Sequence, residues 1–96
     1  MHVISKKKLR EFWEEHPRAK SALEGWHQVA KNAEWETFLD VRQTFNTADQ
    51  VGRFTVFDIG GNKFRLIAVI HFNRQKLYVR HVLTHAEYDE KKWKDE

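Results

Sequence analysis

The sequence predicts an α+β domain in which helices precede a small, mainly antiparallel sheet. Three observations carry that prediction. Apolar residues recur at spacings of three and four through the first third of the chain, as amphipathic helices require. From Phe54 the period drops to two, and Gly60-Gly61-Asn62 and Asn73-Arg74-Gln75 punctuate the apolar runs as turns. Thr84-His85-Ala86-Glu87 then matches a capping box that opens one more short helix.

Met1 to Ile4 reads as a short strand leading into a helix, with Ser5 as its N-cap and Leu9, Phe12 and Trp13 as its apolar stripe. Three lysines in its first turn oppose the helix dipole, which favours acids there. Pro17 ends this helix and suits the first turn of the next. Ala19, Ala22, Leu23, Trp26, Val29 and Ala30 continue the amphipathic pattern to about Asn32, so the two helices form a hairpin. Trp35, Phe38, Leu39 and Arg42 suggest a third, shorter helical turn. Strands are expected from Phe54 to Ile59, Phe64 to Phe72 and Leu77 to Leu83, joined as an antiparallel meander. The middle one carries apolar residues on both faces, as a central strand does. Tyr88 and Trp93 fall on the last helix, and all helices are expected on one side of the sheet.

Ninety-six residues form one domain, 1–96, and 41% hydrophobic with 32% charged residues separates it from disordered chains. Without cysteine there is neither a disulfide framework nor a thiolate metal site. No apolar run approaches the ~20 residues of a membrane span, and the lysine-rich start lacks the apolar core of a signal peptide. No membrane association and a cytoplasmic location are the expectation.

Charge is distributed unevenly. Met1 to Asp49 is balanced, whereas Gln50 to Ala86 holds Arg53, Lys63, Arg65, Arg74, Lys76 and Arg80 against Asp58 alone, a net +5. The tail from Glu87 returns to net −2. A basic block of this kind suits phosphate, because each neutralised phosphate releases counterions, although a solvated sheet face has the same composition.

Lys63 and Arg65 are two apart on a strand and so share a face, offering two cations to one phosphodiester, with Arg80 on the neighbouring strand. A charged edge that keeps the sheet soluble reads the same way. His71, His81 and His85 with Tyr88 supply groups that exchange protons near neutral pH, as acid–base cleavage of RNA requires. His85 and Tyr88 are three apart at a helix start and share a face, although a helix-start decoration and a core plug fit the spacing as well or better. His81 and His85 span a strand-to-helix junction, so no metal site and no cofactor are expected. Gly60-Gly61 lacks a following Gly-Lys-Ser/Thr and is a turn, not a phosphate loop.

The run Phe57-Asp58-Ile59-Gly60-Gly61-Asn62-Lys63-Phe64-Arg65-Leu66, then Tyr78-Val79-Arg80 and Leu83-Thr84-His85-Ala86-Glu87-Tyr88-Asp89, resembles the HigB family of bacterial toxins along essentially the whole chain. The resemblance implies a RelE-like fold and an mRNA interferase, the toxin of a type II toxin–antitoxin pair. Such endoribonucleases cleave mRNA, commonly on the ribosome, by metal-independent attack of a ribose 2′-OH on the adjacent phosphate. It implies a HigA-like helix-turn-helix antitoxin as partner, and operator DNA reached only through that antitoxin. By resemblance Arg65 contacts the scissile phosphate, and His85 and Tyr88 occupy the place of proton transfer or base stacking. Lys63 and Arg80, with Arg53, Arg74 and Lys76, are the candidate phosphate contacts. The alternative is a non-catalytic RNA- or ribosome-binding module using the same basic face, and a pure protein-interaction domain stands further off.

Overall fold

Local capping sets the helices in a computed structural model described over residues 1–95. Ser5 accepts a hydrogen bond from the Lys7 amide at 3.1 Å and opens α1 (Lys6–Glu15), after strand β1 (His2–Ile4). Pro17 begins a single 3₁₀ turn that passes into α2 (Lys20–Asn32). The third helix, α3 (Phe38–Thr44), is longer than one turn. Thr37 caps it, and Asp40 returns a carboxylate to the Thr37 and Glu36 amides.

Among the described residues five strands follow the order β1-β5-β4-β3-β2, with β2 (Asp49–Val51), β3 (Phe54–Ile59), β4 (Phe64–His71) and β5 (Lys76–Thr84). The meander β3-β4-β5 is as expected, and β1 docks parallel to β5 across Lys76–Tyr78. Strand β2 is an addition: it pairs antiparallel with the start of β3. Phe72 leaves β4 for a 3₁₀ turn, and the left-handed Gln75 turns the chain into β5.

One face of the sheet packs Phe57, Ile59, Leu66, Ala68, Leu77 and Val79 against Leu9, Leu23, Trp26, Ala30, Trp35 and Val41. The other face carries a separate cluster of Phe54, Val56, Ile67 and Trp93, flanked by Val69, Leu83 and Tyr88. The helices therefore do not all lie on one side. The short α4 (His85–Asp89) and the 3₁₀ turn after it cover the second face, because β3 and β4 present apolar residues on both sides and both must leave water. Trp93 lies beyond α4, in that 3₁₀ turn, with its Nε1 donating to the Tyr88 carbonyl at 3.0 Å. The register moves from Ile67↔His81 to Ala68↔Val79, so Arg80 sits in a β-bulge. Among the described residues no helix is long and apolar enough to cross a membrane.

Trp93 is 4% exposed and carries much of the second cluster. Truncation to alanine is expected to cost ~3–5 kcal/mol. Urea unfolding of Trp93→Ala checks this, and a loss below about 1 kcal/mol would mean that the tail does not seal the sheet.

Candidate active site

The second face of the sheet ends at the Gly60-Gly61-Asn62 turn, where both glycines take positive φ (62° and 70°) and let β3 fold directly back into β4. That turn sets Arg65 opposite Asp58, and the side chains meet at 3.1 Å between Nε and Oδ1. Nη1 of Arg65 also donates to the Asn62 and Phe64 carbonyls, each at 3.2 Å, and Nη2 donates to the Asn62 side-chain oxygen. The guanidinium lies 5.2 Å from the centre of the Tyr88 ring. Arg65 is only 9% exposed, and these bonds leave one Nη2 N–H unassigned. A bidentate grip on phosphate thus needs Arg65 to release Asn62.

His85 enters from the neighbouring strand. Its amide donates to the Lys63 carbonyl at 3.1 Å, which extends the β4–β5 ladder and sets Lys63 opposite it. The expected capping box is present: Glu87 N–H bonds the Thr84 hydroxyl at 3.2 Å, and the Glu87 carboxylate accepts from Thr84 N–H at 2.9 Å. One turn on, the Asp89 carboxylate lies 3.0 Å from Nδ1 of His85. Neutral His85 then carries its proton on Nδ1 and keeps Nε2 as acceptor, the arrangement a proton-abstracting imidazole needs. Tyr88 stacks on Trp93 at 5.3 Å between ring centres while Arg65 engages the same ring. Burial raises the Tyr88 pKa; Arg65 opposes the rise, and Asp49, Asp58 and Asp89 add to it. The phenol stays neutral and protonated through the physiological range.

Lys63, Arg65, His85 and Tyr88 therefore converge at one end of the sheet. The remaining basic residues do not. Arg74 and Lys76 flank the opposite turn, the length of β4 away, about 23 Å at strand rise. Arg53 sits at the far end of β3 over the Phe54 ring at 4.7 Å. Arg80 lies on the bulge, about 13 Å before Thr84 along β5.

A family model for the HigB toxin, a RelE-like toxic component of a toxin–antitoxin system, matches residues 19–91. The chain belongs to the HigB toxin family. It is 35% identical to an mRNA interferase HigB of Escherichia coli O6:H1 (strain CFT073), over 93% of this chain and 89% of that one. The mRNA interferase toxin HigB of E. coli K12 and the mRNA interferase HigB of Shigella flexneri are each 32% identical, over 93% of this chain and 88% of theirs. The α+β fold is accordingly RelE-like.

In this HigB chain the sequence reading passed over three partners: Asp58, Asn62 and Asp89. Asp58 and Asp89 were legible in principle. A tight turn at Gly60–Lys63 forces Asp58 across from Arg65, and Asp89 follows His85 by four on a helix. A phenol whose pKa folding raises stabilises the fold fully below its unfolded value near 10, and that contribution fades as pH climbs through the raised value. Alkaline unfolding of the wild type should therefore steepen above pH ~10 relative to Tyr88→Phe. Parallel stability curves up to pH ~11 for the two proteins would show that Tyr88 is solvated like a free phenol.

Proposed function

We propose that this chain is the toxin of a type II toxin–antitoxin pair and acts as an mRNA interferase, cleaving mRNA by metal-independent attack of a ribose 2′-OH on the adjacent phosphate. The observation that supports this most directly is the convergence of His85, held by Asp89, with Lys63, Arg65 and Tyr88 at one sheet end, in a chain whose relatives are named mRNA interferases. His85 Nε2 takes the 2′-OH proton as general base. The 2′-oxygen then bonds to phosphorus, the 5′-oxygen leaves, and it acquires the proton the imidazolium releases. Arg65 stabilises the phosphorane through its remaining N–H, with the Lys63 ammonium as the second cation. Protonated Tyr88 covers Arg65 and serves as a neutral hydrogen-bond donor, a role its engaged ring favours over stacking on a base.

Substrate engagement is translation-dependent in this reading, on the ribosome, in the cytoplasm. The partner is a HigA-like helix-turn-helix antitoxin through which the pair reaches operator DNA. Arg80 is the outlying phosphate contact, and Arg53, Arg74 and Lys76 lie too far from His85 to touch the scissile group.

Expression of the chain should arrest growth, and co-expressed antitoxin should relieve it; normal growth at confirmed soluble expression contradicts a toxin. Arg65→Ala should retain its circular dichroism and lower the cleavage rate of translated mRNA by ~10²–10³. A wild-type rate in that variant removes Arg65 from the chemistry. His85→Gln should lose ~10²–10⁴ in rate together with the acid limb of the pH profile. An unchanged acid limb assigns proton abstraction to another group, and binding of mRNA without cleavage in the wild type supports the non-catalytic module instead.

A further inference from the structure

Strand β5 is much longer than its neighbour on the edge side. Strand β1 covers only Lys76–Tyr78, whereas β5 runs to Thr84. The bond from His85 N–H to the Lys63 carbonyl fixes the phase of the β4–β5 ladder. In an antiparallel pair, alternate residues turn both backbone groups toward the partner strand and the others turn them away. Leu83 and His81, opposite Arg65 and Ile67, therefore face β4, and Val82 and Thr84 face the open edge. Two contacts agree with this phase. The Thr84 amide is taken by Glu87, and the Arg80 carbonyl accepts from Lys8 Nζ at 2.9 Å. Val82 N–H and C=O are left at the edge, with no strand beside them among the described residues.

A groove of about 310 Å³ runs along that edge, walled on the far side by α1. Lys8, bonded to the Arg80 carbonyl, lines it together with Phe12, Val82, Glu11 and Glu15. The two glutamates cancel the two cations, Lys8 and Arg80, so the groove as a whole offers a nucleic-acid backbone no net attraction. A peptide matches the groove, because it brings backbone partners for Val82, an apolar side chain for Phe12 and Val82, and charges of both signs. We propose that an extended segment of the antitoxin adds to the edge of β5 between Arg80 and Thr84, pairing with Val82 N–H and C=O, with an acidic residue beside Lys8 and Arg80 and a basic one beside Glu11 and Glu15. Main-chain bonds supply the affinity and the side chains the specificity, as in other strand additions. The added strand ends beside Thr84 and His85, so its occupant also lies against the entrance to the proposed site. The inference rests on the toxin–antitoxin pairing proposed above and is independent of the cleavage chemistry.

Residue-resolved amide exchange on the purified complex with co-expressed antitoxin, against the free chain, tests it. Val82 N–H should slow at least ~10-fold more than Leu83 N–H, which is already bonded to β4. Lys8→Glu and Glu11→Lys should each weaken the complex ~10-fold, and Val82→Pro, which removes the outward donor, should do likewise if it folds. Equal slowing of Val82 and Leu83, with affinity indifferent to Lys8→Glu, overturns the proposal. Protection of Val82 by a single-stranded RNA oligonucleotide in place of the antitoxin overturns it too, in favour of a nucleic-acid groove. Loss of mRNA cleavage with Val82 protection intact would sink the interferase reading alone.

Discussion

An arginine sunk at the foot of the central strand is the constraint on which the rest of this molecule rests. Arg65 must be neutralised and hydrogen-bonded to be buried, and Asp58 and Asn62 do both. Those same bonds fasten β3 to β4 and close the Gly60-Gly61 turn. The flat guanidinium then offers a cationic surface to Tyr88, which anchors α4, and α4 carries His85. The fold and the proposed site thus share one side chain. Its substitution removes a turn brace, an ion pair and a ring contact together, which is why stability and rate have to be measured separately at this position.

A sheet buried on both faces explains how so short a chain holds the residues of the proposed site in place. Ile67 and Leu66 are fully buried on opposite sides of β4, the first under Trp93 and the second under the helices. The second layer is only a helix of five residues and a 3₁₀ turn, too short to persist without tertiary packing. The capping box at Thr84 and the bond from Trp93 to the Tyr88 carbonyl hold its two ends.

Features governed by near neighbours were legible in the sequence. The caps at Ser5 and Thr84, the helical hairpin, the Gly-Gly turn and the meander each depend on residues a few positions apart. Strand β2 was not: Asp49-Gln50-Val51 has no alternation of its own and exists only as a partner to β3. The placement of Trp93 escaped for a related reason, since helical spacing reports that a residue is buried but not on which side of a sheet. Within the site, Lys63, Arg65, His85 and Tyr88 could be named from spacing and resemblance. How thoroughly Arg65 is committed to protein partners could not, because the bonds to Asn62 and the Phe64 carbonyl depend on how the guanidinium folds back over the turn. The basic block was real as composition and misleading as geometry, because a strand separates Arg74 and Lys76 from Lys63 by its full length.

The bulge at Arg80 has a consequence for how the chain tolerates change. Side chains alternate sides along a strand, and one unpaired residue inverts the alternation for everything downstream. Leu77 and Val79 point to the helical core before Arg80, and Leu83 points away from it afterwards. Deleting this exposed residue would join Val79 directly to His81 and make the ladder regular, with Val79 and Val82 still toward the helical core and Leu83 still away from it. Replacement of the Arg80 side chain and even loss of its codon are therefore absorbed at the bulge, and the C-terminal segment that carries His85 keeps its orientation.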